Sequence, residues 1–320
     1  MSLGARLRAR WAPVDGIIAA YSIWMGLLIV LHAARVPEWP QLVTVHAAIV
    51  VALLIIPPRG AAWEARRAQP WQRPLHDFAC FVRHAYPLPL ALFFFEEGRF
   101  TVNMIFADTP YWFEPRLYAA DAAAFGELPA RLMDGWVTPW LTELMSFFYW
   151  SYYIILIGGV ALAYVGGDRY EASRAPAAGF EKTITSLAAG FVLAFLFYPW
   201  LAARGPWENP ALMAQLAPQT GWFFTWMMDR IIEHGAVSGN CFPSGHVAGA
   251  WAIVFGLMAS GRHRPVVMVG LVLSVGMTFA CVYTRYHHAV DVPAGFACGA
   301  AGALIASRLV GRRRASGAPS

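Results

Sequence analysis

Eight apolar runs separated by short polar segments dominate the chain, and they restrict it to lipid. They lie at about 16–34, 41–57, 85–106, 141–165, 183–203, 245–260, 266–284 and 288–309. A helix crossing hydrocarbon needs roughly 17–25 mostly apolar residues, and a chain inside a bilayer must satisfy its own backbone hydrogen bonds. These runs therefore predict an all-α, polytopic transmembrane bundle of about eight spans. Composition points the same way. Of 320 residues, 58% are hydrophobic and 13% charged, whereas soluble domains carry roughly 25% charged residues and disordered chains still more. The third run is the most irregular. Glu96, Glu97 and Arg99 sit near its far end and must face the protein interior or the interface, as a buried ion pair or as a lining of the headgroup cavity. The sixth run is short and opens at Pro243 and Ser244.

The formal net charge of +5 invites a nucleic-acid reading, but no basic, aromatic-interleaved stripe is present. The arginines fall in the gaps between runs instead: Arg6, Arg8 and Arg10; Arg66, Arg67 and Arg73; Arg262 and Arg264; Arg312, Arg313 and Arg314. With eight spans every cluster, and the loop from Asp168 to Lys182, falls on one side, which the positive-inside rule makes cytoplasmic. Both termini are then expected in the cytoplasm of an inner (plasma) membrane protein, and 35–40, 107–140, 204–244 and 285–287 face outward. The 107–140 segment, with Pro110-Tyr111-Trp112-Phe113, is rich in the aromatics that favour the interface, and predicts a helix lying on the outer surface. The first run has basic residues before it but no clear cleavage site, so it is expected to be an uncleaved span rather than a signal peptide. Organisation follows: 1–180 as N-terminal spans and outer interfacial segment, 181–310 as the catalytic core, 311–320 as a basic tail. Cys80, Cys241, Cys281 and Cys298 show no C-x-x-C pair, which supports neither a disulfide framework nor a zinc knuckle.

Polar residues concentrate at two run openings where lipid makes them costly. One is Cys241-Phe242-Pro243-Ser244-Gly245-His246; the other is Tyr283-Thr284-Arg285-Tyr286-His287-His288-Ala289-Val290-Asp291. A weaker third lies at Tyr198-Pro199 and Arg204-Gly205-Pro206. The threading puts all three near the outer surface. His287 and Asp291 are four apart, which on a helix places them on one face, where the carboxylate can hold one imidazole nitrogen and leave the other as nucleophile or base. Ser244 and Gly245 open a helix, whose free N–H groups favour an anion. Arg204 and Arg285 can hold phosphate oxygens, and His246 can protonate a leaving oxygen. His288, adjacent to His287, points elsewhere and is expected to be structural or substrate-lining. His32 and His46, near span ends, are expected to be interfacial.

At these residues the chain resembles the type 2 phosphatidic acid phosphatase superfamily. Pro243-Ser244-Gly245-His246 matches its P-S-G-H motif, and His287 with Asp291 matches the H-x-x-x-D of its last motif. Arg285-Tyr286-His287-His288, Asp291-Val292 and Ala294-Gly295 are more similar to the branch containing inositol phosphorylceramide synthases, as is the stretch from Trp140 to Tyr153. The resemblance implies a lipid phosphatase or phosphotransferase without metal or cofactor. His287 would form a phosphohistidine, Asp291 would orient it, and His246 would protonate the leaving group. It further implies a lipid phosphate or phospholipid substrate and an inositol-type polyol acceptor. The family's arginine six residues before the last-motif histidine is Cys281 here, with Arg285 as its substitute. The family's first motif is absent, and Arg204-Gly205-Pro206 is its relic. Three alternatives remain: an intramembrane serine protease using Ser244 and His287, a metal-dependent oxygenase, for which no spaced histidine set exists, and a non-catalytic transporter or scaffold.

Overall fold

The computed structural model describes residues 11–55, 78, 81–102, 104–106, 112–165, 178–261 and 264–315. The expectations placed on Arg6, Arg8, Arg10, Arg66, Arg67, Arg73, Cys80, Pro110, Tyr111, Asp168 and Arg262 lie outside the described residues. The described chain is an all-α membrane helical bundle without strands; Ala203 and Asn240 form an isolated parallel bridge. Its helices are α1 (Pro13–Leu31), α2 (Trp39–Ile55), α3 (Pro87–Glu96), α4 (Glu114–Phe125), α5 (Pro139–Tyr153), α6 (Gly159–Val165), α7 (Ala178–Phe195), α8 (Phe223–Gly235), α9 (Gly245–Ala259), α10 (Arg264–Tyr283) and α11 (Asp291–Ala315). A π-helical segment, Ile154–Gly158, carries α5 into α6.

Among the described residues four helical stretches are long and apolar enough to cross a membrane: Pro13–Leu31, Pro139–Tyr164, Arg264–Tyr283 and Asp291–Arg313. The helices Trp39–Ile55 and Gly245–Ala259 are apolar but shorter, and α7 carries Glu181 and Lys182 in its first turn. On α10, Met268, Val272, Val275 and Phe279 are exposed at helical spacing, the face such a helix gives to lipid.

The third expected span is not one helix. α3 ends at Glu96, and a single turn, Gly98–Thr101, follows. The break is held by polar contacts. Glu97 turns inward, where its carboxylate accepts from the Tyr21 hydroxyl at 2.8 Å and meets His46 Nε2 at 2.8 Å. The Phe95 carbonyl accepts from Asn240 Nδ2 at 2.8 Å. Gly98 lets Asn240 come this close, since a Cβ there would lie 2.2 Å from Asn240 Nδ2. His46 is therefore a buried partner of Glu97 and not an interfacial residue, because a carboxylate drawn into the bundle needs a donor beside it. His32 stays half-buried, bonding the Leu28 carbonyl at 2.9 Å. Glu96 pairs with Arg99 at the surface, 2.6 Å apart. A second buried pair ties α1 to the chain before α3: Arg83 forks onto Asp15 at 3.1 and 2.8 Å.

The core is a trio of close-packed helices, α7, α9 and α11. Small residues let them approach. A Cβ at Gly302 would lie 2.5 Å from the Gly190 nitrogen and 2.8 Å from the Ser186 carbonyl oxygen; both are backbone atoms that cannot rotate aside. Ser186 Oγ crosses to the Ala252 carbonyl at 2.7 Å, a helix-to-helix bond of the kind that holds membrane bundles where burial gives no net drive. At one end Lys182 Nζ bonds the Ala259 carbonyl at 3.0 Å, and Arg313 bonds the Trp11 carbonyl and approaches Glu181 at 3.7 Å. At the other end of α9 and α11 lie Ser244 and Asp291. The segment 204–244 holds an element not expected from the sequence, the amphipathic α8. Glu143 on α5 caps it, accepting from the backbone nitrogens of Trp222 at 2.8 Å, Phe224 at 2.8 Å and Thr225 at 3.1 Å.

Gly302→Ala should lower the thermal midpoint in detergent, a loss of about 1–3 kcal/mol typical of overpacking. Gly311→Ala on the same helix, where an added Cβ meets nothing, should leave it unchanged; equal midpoints would refute the close-approach account.

Candidate active site

Three chain segments meet at one end of the trio. Ser244 is the N-cap of α9, its Oγ accepting from Val247 N at 3.3 Å, so the remaining first-turn N–H groups and the positive end of the dipole face the site. His287 lies in the turn between α10 and α11, its backbone N bonded to the Cys281 carbonyl at 3.0 Å. Asp291 is the first residue of α11.

His287 and Asp291 do not share a helix face, because α11 begins only at Asp291. The carboxylate instead reaches back into the turn. Its Oδ2 accepts from His288 N at 2.9 Å, from the Cys241 thiol at 2.9 Å and from His287 Nδ1 at 3.3 Å. Its Oδ1 is buried without a hydrogen-bond partner among the described residues. With Nδ1 donating to Asp291, the proton-free nitrogen of a neutral His287 is Nε2. That atom lies 3.3 Å from Ser244 Oγ and 3.3 Å from His246 Nδ1. Tyr149 Oη stands 3.2 Å from His246 Nε2, and the Tyr152 ring centroid is 4.6 Å from that of His246.

His246, His287, Gly245 and Cys241 open onto a cavity of about 410 Å³. It is lined by Tyr149, Tyr152, Tyr198 and Tyr286 and by apolar side chains that include Leu92, Leu156, Phe191 and Ile232. Glu96 and Glu208 also line it. The shape suits a polar group at the histidines and a hydrocarbon chain along the walls.

The expected arginines are elsewhere. Arg204 Nε bonds Glu114 Oε1 at 2.6 Å, and its guanidinium lies over the Trp112 ring, 4.5 Å from the centroid. Arg285 is buried, bonding Asp134 and the Ala217 carbonyl, each at 3.0 Å. Neither lines the cavity. The buried guanidinium of Arg285 needs a fixed acceptor, which Asp134 supplies, and the partly exposed Arg204 takes Glu114. Arg285 also has a left-handed backbone (φ 65°), which is costly for a residue with a Cβ, and the buried ion pair holds it there. His288 takes the structural alternative. Its Nδ1 meets Asp121 at 3.3 Å and its Nε2 the Arg204 carbonyl at 3.2 Å. Burial, the largest influence, pulls its pKa down; the Asp121 hydrogen bond, the charges of Asp291 and Asp121 and the Arg204 carbonyl together lift it above the ordinary 6.5.

Asp121, Asp134, Cys241 and Tyr149 were not expected at the site. Asp121 and Asp134 lie in the segment read only as an interfacial helix, and Cys241 stood in the P-S-G-H string without an assigned task.

The PAP2 superfamily matches residues 116–305, more than half of the chain. The chain belongs to this superfamily. No curated protein and no solved structure matches it. Membership in the PAP2 superfamily supports a phosphatase or phosphotransferase type of activity on lipid phosphate in membranes. The matched stretch begins in α4 and so takes in Asp121 and Asp134 as well as the trio.

Two outcomes are expected. Arg285→Ala should lower the thermal midpoint in detergent, because it empties a buried position and leaves the Asp134 carboxylate without its cation, and adding Asp134→Asn should recover part of the loss; a midpoint equal to wild type would mean that the ion pair holds nothing. His288 has a raised pKa in the fold, so its contribution to stability is complete below about 6.5 and is lost as pH climbs through the raised value. The midpoint should fall over that window in wild type, and His288→Gln should flatten this part of the profile.

Proposed function

We propose that this PAP2 superfamily member is a lipid phosphatase or phosphotransferase that works through a phosphohistidine on His287, with no metal in the reaction. The single observation that carries the reading is the 3.3 Å approach of His246 Nδ1 to His287 Nε2, at a helix N-terminus and at the mouth of an apolar-walled cavity. His287 Nε2 attacks phosphorus and forms the N–P bond as the bond to the leaving oxygen breaks. His246 gives that oxygen its proton, and Asp291 accepts from Nδ1 and stabilises the imidazolium. Water or an alcohol then attacks the phosphohistidine, yielding its proton to His246 and returning His287 to neutral imidazole.

Charge on the transferred group falls on the first-turn N–H groups of α9 and on the Ser244 hydroxyl. Arg204 and Arg285, tied to Glu114 and Asp134, act by bracing the outer segment over the site. Resemblance at Arg285-Tyr286-His287-His288 and Asp291-Val292 supports the inositol phosphorylceramide synthase-like branch, and with it an inositol-type acceptor. The arginine clusters support a plasma membrane placement with the site extracytoplasmic and both termini cytoplasmic.

His287→Ala should abolish turnover on a panel of phospholipids assayed with and without inositol, and EDTA should leave wild-type activity in place. Retention of a tenth of the rate by His287→Ala would remove the assigned role. Free phosphate as the product would mean a phosphatase, and a phosphoinositol lipid a synthase.

Ser244 Oγ, His287 and Asp291 also lie in the order of a serine hydrolase triad, with 3.3 Å at each step. Ser244→Ala separates the readings: a serine nucleophile loses all turnover, whereas the phosphohistidine reading keeps a reduced rate and an acid-labile, base-stable phosphoenzyme.

A further inference from the structure

Cys241, His287 and Asp291 make a cluster that the proposed reaction does not need. All three are buried, and they are the one trio of metal-type side chains among the described residues whose ligand atoms gather within 4.8 Å. Their separations can be tested against a real coordination sphere. Zinc bond lengths of about 2.3 Å to sulfur, about 2.05 Å to nitrogen and about 2.1 Å to oxygen, at tetrahedral angles, give edges of about 3.5 Å for S···N, about 3.4 Å for N···O and about 3.6 Å for S···O. Here Cys241 Sγ lies 3.5 Å from His287 Nδ1, and Nδ1 lies 3.3 Å from Asp291 Oδ2. Two edges fit as they stand. The third, Sγ to Oδ2, is 2.9 Å, the length of the present thiol hydrogen bond, and a small rotation of either side chain opens it. Asp291 Oδ1, the oxygen that takes no part in these edges, is buried with no hydrogen-bond partner among the described residues, an orphan that costs free energy on burial.

From these contacts we infer that Cys241, His287 and Asp291 bind a thiophilic divalent cation of the zinc class, and that its binding switches the site off. The thiol proton leaves to solvent as the S–metal bond forms. A fourth position is open to a water from the cavity, which Cys241 and His287 both line. Thiolate and imidazole favour zinc and its soft neighbours over magnesium or calcium, which prefer oxygen-only sets. The chemical consequence follows from the ring. A metal on Nδ1 leaves the proton of a neutral imidazole on Nε2, the atom that faces Ser244 and His246, and a protonated Nε2 has no lone pair for phosphorus. The inhibitory consequence rests on the phosphohistidine reading; the binding does not.

The test uses the full chain in detergent, stripped with EDTA and dialysed. Titration with cobalt(II) should give a thiolate-to-cobalt charge-transfer absorption in the near ultraviolet. That band should vanish in Cys241→Ala and Cys241→Ser, persist in Cys281→Ala and Cys298→Ala, and be displaced by zinc, which binds more tightly. Cys241→Ser keeps a hydroxyl for Asp291, so a folded protein remains in which only the thiolate is gone. Zinc should inhibit lipid turnover, and its inhibition constant should rise more than about tenfold in Cys241→Ser, a ratio taken within each variant so that differences in basal rate cancel. No band in wild type, or a band that survives in both Cys241 variants, overturns the site. Equal zinc inhibition in wild type and Cys241→Ser, or zinc restoring a chelated and inactive enzyme, overturns the switch. A cobalt band that behaves as expected in a protein that turns over no lipid upholds the site and removes the proposed function instead.

Discussion

One carboxylate oxygen organises the end of the bundle that holds the candidate site. From the first residue of α11, Asp291 Oδ2 gathers donors from the loop before α9 and from the turn after α10. Because Asp291 is fully buried, it must be paired or it would be expelled, and that requirement fixes the three segments relative to one another. The imidazole held on its Nδ1 side can present only Nε2 to the cavity. A carboxylate placed a turn deeper would leave His287 free to rotate, and the two histidines would lose their common orientation.

The segment 114–134 is built on the same principle. Glu114, Asp121 and Asp134 each meet a cation or donor from the site region: Arg204, the turn at His288 and Arg285 respectively. Asp121 also accepts from the backbone nitrogens of Ala289 and Val290, so it caps the turn that carries His287. These carboxylates thus do two jobs at once. They pair the guanidinium groups of Arg204 and Arg285, and Asp121 stiffens the turn on which His287 sits. Ion pairs of this kind bring specificity of geometry more than net stability, which is what a site needing sub-ångström alignment requires.

Much of this was legible beforehand. Hydropathy located a helix at each of the eight runs, because a run long enough to span hydrocarbon has little choice but to be helical. The third run broke at Glu97 because the partners that pull it inward, Tyr21 and His46, come from helices far away in the chain; no local pattern carries that information. The amphipathic α8 escaped notice for a related reason, since its N-terminal cap is Glu143, some 80 positions away. His246, His287, Ser244 and Asp291 were legible as a group because costly polar residues gathered at two run openings. The pairing of Arg204 with Glu114 and of Arg285 with Asp134 was not legible, because a guanidinium recognises phosphate and carboxylate by the same fork.

By itself, then, the amino-acid order determined that the chain is a helical membrane bundle and that two imidazoles and an aspartate belong together, since the cost of polar groups in lipid can be counted along a chain. Only the tertiary structure decided which acceptor each arginine takes, how Asp291 reaches His287 without a shared helix, and that Cys241 stands beside both. Those outcomes depend on distances between segments dozens of residues apart, and such distances are set by how small residues such as Gly190 and Gly302 let the central helices close on one another.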